Sequence, residues 1–138
     1  MELLPALAIS ASGLAAEQLR LDLVAGNLAN LSTTRAAGGG PYRRRVAVFA
    51  EKLLEASGGF RGRGVKVAGV VADPSPPQVV YDPGHPDADA SGYVALPNVN
   101  VVNEMVDLIT ATRAYEANVT VLNAAKAMAM KALEIGRA

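Results

Sequence analysis

A chain of 138 residues with no Cys and a formal net charge of zero excludes disulfides, thiol catalysis and thiolate-held zinc, and any overall electrostatic pull toward nucleic acid or anionic lipid. Apolar residues make up 51% and aromatic ones only 4%, so the apolar material is mostly Ala, Val and Leu, which suits helix seams better than a bulky core. One domain is the expectation at this length, near the size where association aids stability, and no apolar run reaches the ~18 residues a bilayer-spanning helix needs.

At the N-terminus, Leu7, Ala11, Leu14, Gln18, Leu21, Ala25 and Leu28 recur in alternating steps of four and three, the spacing of a coiled-coil seam. This predicts a helix from Pro5, tolerated in a first turn, to about Asn30, with Glu17, Arg20 and Asp22 mostly off the seam. Gly13 and Gly26 each cost an isolated helix about 1 kcal/mol relative to Ala and are therefore expected to mark close contacts. Leu3 to Ala16 is apolar enough to resemble a signal peptide. Met1 and Glu2 supply no basic leader, however, and the helical phase continues into Leu21 and Leu28, so the segment is expected to be retained. Asn27, Asn30, Ser32, Thr33 and Thr34 favour caps and turns, and Gly38 to Pro41 reads as a linker loop.

The middle of the chain switches period. Tyr42 to Ala50 alternates as a short strand, Glu51 to Ala56 suits a helical turn, Phe60 to Arg63 a turn or hairpin, and Gly64 to Ala72 a second strand stopped by Pro74, Pro76 and Pro77. Gln78 to Tyr81 is a third strand. The turn-dense loop from Asp82 to Asp89 follows, and Gly92 to Leu96 leads on. So few short strands make a small β module. Its charge is segregated: eight basic residues against two acidic ones from Arg35 to Lys66, then four Asp and no base from Asp73 to Asp89. Two lobes of opposite sign can meet copies or neighbours head to tail.

Val101 to Gly136 reads as one amphipathic helix of about ten turns and ~50 Å. Its predicted seam is Val101, Met105, Leu108, Thr112, Tyr115, Val119 and Leu122, continuing through Ala125, Ala129 and Ala132 after a shift of register. Asn98 or Asn100 is the expected N-cap, Glu104 and Asp107 complement the helix dipole, and Gly136 is expected to end the helix in the left-handed conformation. A helix this long needs a partner, and the first helix offers a matching seam. The predicted class is α+β, mainly α: long paired terminal helices from residues 1–34 and 97–138 around a small β-rich module from residues 35–96.

Chemistry finds little footing. Arg43, Arg44 and Arg45 could meet phosphates, but strand alternation splits them between two faces, which favours a solvated or protein-contact surface. Gly38 to Gly40 lacks the Lys and hydroxyl of a phosphate loop. Asp87, Asp89, Ser91 and Gly92 open like a calcium loop, yet the closing position is Asn98 instead of a bidentate Glu. His85 is the only histidine and reads as a turn residue. No catalytic set or cofactor loop is apparent, so an enzyme is not expected. Tyr115 reads as seam packing, and Asn118 and Asn123 as polar positions that fix register.

Several strings together resemble a known family. Ala11-Ser12-Gly13-Leu14, Arg20-Leu21, Asn27-Leu28-Ala29-Asn30 and Thr33-Thr34 are similar to the shared first helix of bacterial flagellar axial proteins, the rod and hook subunits. Gly39-Gly40-Pro41-Tyr42-Arg43-Arg44, Tyr81-Asp82-Pro83-Gly84-His85-Pro86, Pro97-Asn98-Val99-Asn100 and Arg113-Ala114-Tyr115-Glu116-Ala117-Asn118 narrow the likeness to proximal rod subunits. The resemblance implies a structural subunit without cofactor, metal or nucleic acid. Its terminal helices would form an inner tube and its middle an outer module, stacked helically into the hollow drive shaft that crosses the periplasm, transmits torque and passes exported subunits. Implied partners are copies of itself, neighbouring proximal and distal rod proteins, and the export-gate adaptor at the rod base, reached by export without signal cleavage. Assembly contacts are then expected at Leu7, Leu14, Leu21, Asn27, Leu28, Asn30, Met105, Leu108, Tyr115, Val119 and Leu122, and outer-module contacts at Tyr42, Arg43, Arg44, Asp82 and His85. The alternative is a secreted helical filament or adaptor protein of another system.

Overall fold

The computed structural model describes residues 3–56 and 59–137, and among them every side chain except Leu3 and residues 54–62. The elements run α1 (Leu3–Ala29), β1 (Arg45–Ala56), β2 (Gly59–Ala72), β3 (Gln78–Tyr81), β4 (Tyr93–Leu96) and α2 (Val101–Ile135). Met1 and Glu2, on which the signal-peptide argument turned, and Ser57 and Gly58 lie outside the described residues.

The two helices pair antiparallel: Gly13 lies against Asn118, whereas Arg20 reaches Asp107 and Asn27 reaches Glu104. The seam runs one residue away from half of its predicted positions. On α2 the inward line is Glu104, Leu108, Ala111, Tyr115, Asn118, Leu122, Ala125, Ala129 and Ala132, all buried or half-buried, while Met105, Thr112 and Asn123 are exposed. On α1, Ser10, Glu17 and Val24 are inward where Ala11, Gln18 and Ala25 are exposed. The corrected line keeps its four-three alternation to the end of α2, so the expected shift of register does not occur. The physical reason is close approach: the inward alternate positions are mostly small or hydrogen-bonding residues, Ser10, Glu17, Glu104, Ala111 and Asn118, which do not stand out as apolar bulk.

Asn100 is the N-cap of α2, its side chain accepting from the Val102 and Asn103 amides at 3.0 and 3.2 Å. Gly136 ends the helix with φ −73°, a right-handed conformation and not the left-handed one expected. Gly13 is the close contact its sequence position implied, since an added Cβ would lie 3.0 Å from the Asn118 amide nitrogen. Gly26 is not, because an added Cβ there meets open space.

β1 and β2 form an antiparallel ribbon from Arg45↔Ala72 to Ala56↔Gly59. Glu51 to Ala56 is therefore strand, not a helical turn, and Phe60 to Arg63 lies within β2 and not at a turn. Register shifts between Val48 and Phe49 and between Glu51 and Leu53 each place an extra residue on β2 and interrupt its period-two alternation, while Glu51 to Ala56 on β1 is made of strong helix formers that strand pairing overrides. The ribbon lies on α1. Gly64, at φ +116°, lets it approach so closely that any Cβ would collide with the Ser12 hydroxyl, which instead accepts the Val65 amide at 3.1 Å.

β3 and β4 pair from Gln78↔Leu96 to Tyr81↔Tyr93 and, among the described residues, contact no other helix or strand. Loops tether them. Asn98 bonds the Arg44 amide at 2.8 Å and the Asp73 and Ser75 carbonyls at 3.2 and 3.0 Å, and Asp87 holds Thr34 at 2.6 Å and pairs with Arg35. Among the described residues the buried apolar side chains are Ala16, Val24, Val94, Pro97, Val99, Ala111 and Ala125, none larger than Val or Pro. The largest fully buried side chains are Glu104, Asn27 and Pro97, so the centre of the molecule is polar.

Candidate assembly surfaces

Asn27 sits in the last turn of α1 and is 1% exposed. Its amide donates to the Arg45 carbonyl at 3.0 Å and to Glu104 Oε2 at 3.1 Å, while its oxygen accepts the Arg45 amide and the Tyr42 hydroxyl, each at 2.9 Å. Two donors and two acceptor sites are all that an asparagine side chain has, and every one is used. Glu104, wholly buried in the first turn of α2, takes the Arg44 guanidinium on its other oxygen. Arg44 also reaches Asp107 at 2.8 Å and Asp73 at 3.6 Å, and Asp107 is shared with Arg20 at 3.4 Å.

Burial works against the charge of Arg44, but the hydrogen bond and charge of Glu104, with Asp107 and Asp73, outweigh it and raise its pKa. Burial likewise raises the pKa of Tyr42, with Glu104 adding to it and Arg45 opposing. The cluster therefore locks the end of α1, the start of β1 and the start of α2 into one geometry. Breaking such a buried pair by removing one partner costs about 3–5 kcal/mol. Glu104, Asp107, Asp73 and Asn98 were not among the expected site residues. The available signal was an acid lying in phase with an alanine-rich seam, which read as dipole complementation.

The expected residues divide into three groups. Asn27, Tyr42 and Arg44 belong to this junction, and Asn30 caps α1 by donating to the Gly26 carbonyl at 2.8 Å. Leu7, Leu14, Leu21, Leu28, Leu108, Tyr115, Val119 and Leu122 are half-buried along the helix pair. Met105, Arg43 and Asp82 are exposed, and His85 is half-buried with Nδ1 accepting the Asp87 amide at 3.0 Å. The calcium-loop acids are engaged locally, Asp87 by Thr34 and Arg35 and Asp89 by the Ser91 and Tyr93 amides. The Thr34 hydroxyl, more than Arg35, lowers the Asp87 pKa, and Ser75 chiefly lowers that of Asp73.

Away from the seam, α2 is apolar where nothing covers it. Val102, Met105, Val106 and Ile109 are 53–68% exposed near its start, as are Val121 and Met128 further on, and Leu133 and Ile135 reach 67% and 77%. Bare apolar surface of this kind is available to pack against another apolar face. Among the described residues, α2 contacts α1 and no other element, so these faces are unspent.

A family profile described as "Flagella basal body rod protein" matches residues 7–36, and one described as "Flagellar basal body rod FlgEFG protein C-terminal" matches residues 90–135. Flagellar basal-body rod protein FlgC of Bacillus subtilis is 48% identical over 142 residues, covering 94% of this chain and 95% of its own. The protein of the same name from Borreliella burgdorferi is 46% identical over 149 residues, covering 98% of each, and that of Salmonella typhimurium 45% identical over 137 residues, covering 99% of this chain and 100% of its own.

Proposed function

The chain belongs to the flagellar basal-body rod protein FlgC family, and we propose that it is a structural subunit of the basal-body rod that works by packing and not by catalysis. Its partners are other rod components. In the finer form of the proposal, residues 1–34 and 97–138 supply an inner helical layer and residues 35–96 an outer module. Copies stack helically into a hollow periplasmic shaft that transmits torque and passes exported subunits, with the export-gate adaptor at its base.

The observation that carries the proposal is the face of α2 that α1 leaves bare. A helix of 35 residues exposing Val102, Met105, Val106, Ile109, Val121 and Met128 retains apolar surface for neighbouring helices. Close-packed interiors have low compressibility, so a shaft built from such contacts resists shear. The test is to replace the chain in motile cells with Ile109→Asp or Val121→Asp. Both sites are more than half exposed, so the purified subunits should keep their stability to within about 0.5 kcal/mol. Each should be depleted at least tenfold from isolated basal bodies, with motility lost. Normal incorporation of both variants would overturn the proposal.

A further inference from the structure

The outward face of the β3–β4 hairpin is apolar and uncovered. Val79, Tyr81 and Tyr93 are 64%, 63% and 46% exposed, and the two tyrosine rings meet edge to face with centroids 5.2 Å apart. Asp82 and Asp89 stand exposed at its turn end, their carboxylates bonded only to nearby backbone amides. Pro76 and Pro77 precede β3 and Pro83 follows it, which prevents a longer strand from adding to its edge. Docking on this hairpin therefore uses its side-chain face.

The β1–β2 ribbon is its chemical counterpart. On the ribbon face turned away from α1, Val48 and Val71 are 43% and 50% exposed beside the exposed cations Lys52 and Lys66. Much of the charge segregation seen in the sequence is spent internally, Arg35 on Asp87 and Arg44 on Asp73, Glu104 and Asp107. What is left outward is a basic ribbon and an acidic tyrosine face. Among the described residues neither forms ion pairs within the chain, and the two sheets do not touch each other.

We infer that the Tyr81–Tyr93 face of one copy docks on the β1–β2 ribbon of a second copy of the chain. Each patch matches the other in apolar character and opposes it in charge, and Lys66 or Lys52 can lie over a tyrosine ring as well as face Asp82. Such a contact is heterologous, so it propagates as an open series, the geometry of a helical stack. The inference takes that setting from the rod-subunit reading.

The test uses the absence of native cysteine. Full-length Val48→Cys and Tyr93→Cys chains are purified, mixed and oxidised, and their mixed-disulfide rate is compared with that of Val48→Cys and the exposed control Ser32→Cys. The expected rate is about tenfold above the control, falls with salt, drops about tenfold when the Val48→Cys chain also carries Lys66→Glu, and recovers when the Tyr93→Cys chain then carries Asp82→Lys. A rate equal to the control, or one indifferent to salt and charge reversal, overturns the inference. The measurement does not involve the basal body, so its failure leaves the rod assignment standing. Wild-type chain missing from basal bodies would sink that assignment without altering this rate.

Discussion

The two ends of the helix pair are built on opposite plans. Where α1 ends and α2 begins, Asn27, Glu104 and Arg44 form a polar knot with every Asn27 hydrogen-bonding position satisfied. Toward the other end the seam thins to Leu122, Ala125, Ala129 and Ala132, while Met128, Met130, Leu133 and Ile135 are bare. A satisfied polar network is directional and permits one arrangement, whereas a small-residue groove beside exposed apolar side chains accepts any helix of matching shape. One end fixes the geometry of the subunit before assembly. The other has no such network, and the bare apolar face of α2 that runs from Val102 at the knotted end is there widest.

The largest effect should come from cutting the knot. Glu104→Leu removes an acceptor of Arg44, which keeps Asp107 and Asp73, and leaves an N–H of the buried Asn27 amide without a partner. The expected cost is about 3–5 kcal/mol, a large share of the roughly 5–15 kcal/mol that holds a domain together. Urea denaturation followed by circular dichroism would measure it, and a midpoint near wild type would mean that the network is ornamental. Leu122→Asp strikes the other end. It places a charge in the half-buried alanine-lined seam and should cost about 1–3 kcal/mol. Hydrogen exchange should show lost protection confined to the distal half of the pair, with the amides around Asn27 and Glu104 unchanged. Loss of protection at both ends would erase the contrast.

That contrast was only half legible in the sequence. The alternating apolar steps placed both terminal helices and their pairing, and Pro and Gly boundaries placed β3, because these signals are local. The knot is not local: Asn27 and Glu104 are 77 residues apart, and neither the acid nor the amide advertises its partner. The ribbon was misread for a different reason, since two register shifts break the alternation on β2 and strong helix formers occupy the end of β1. The seam itself slipped by one residue mainly where the inward position is small or polar, as Glu104 is beside Met105 and Ala111 beside Thr112, because such residues do not stand out from their neighbours as apolar bulk.

The smallest test uses the two helical glycines, Gly26 beside the knot and Gly13 further along α1. At Gly26 an added methyl meets nothing within 4 Å, and at Gly13 it would press on Asn118 at 3.0 Å. Removing glycine from a helix interior is worth about 0.5–1 kcal/mol where space allows, so Gly26→Ala should raise the stability of the isolated subunit by that amount. Gly13→Ala gains the same propensity but must push the Asn118 side chain aside by a few tenths of an ångström, which cancels part or all of it. The two variants should therefore separate in thermal midpoint, with Gly26→Ala the higher. If Gly26→Ala nevertheless lowers incorporation into basal bodies, the open space beside Gly26 is a place where a neighbouring subunit comes close, and the knotted end contributes to assembly through α1 as well as through the bare face of α2.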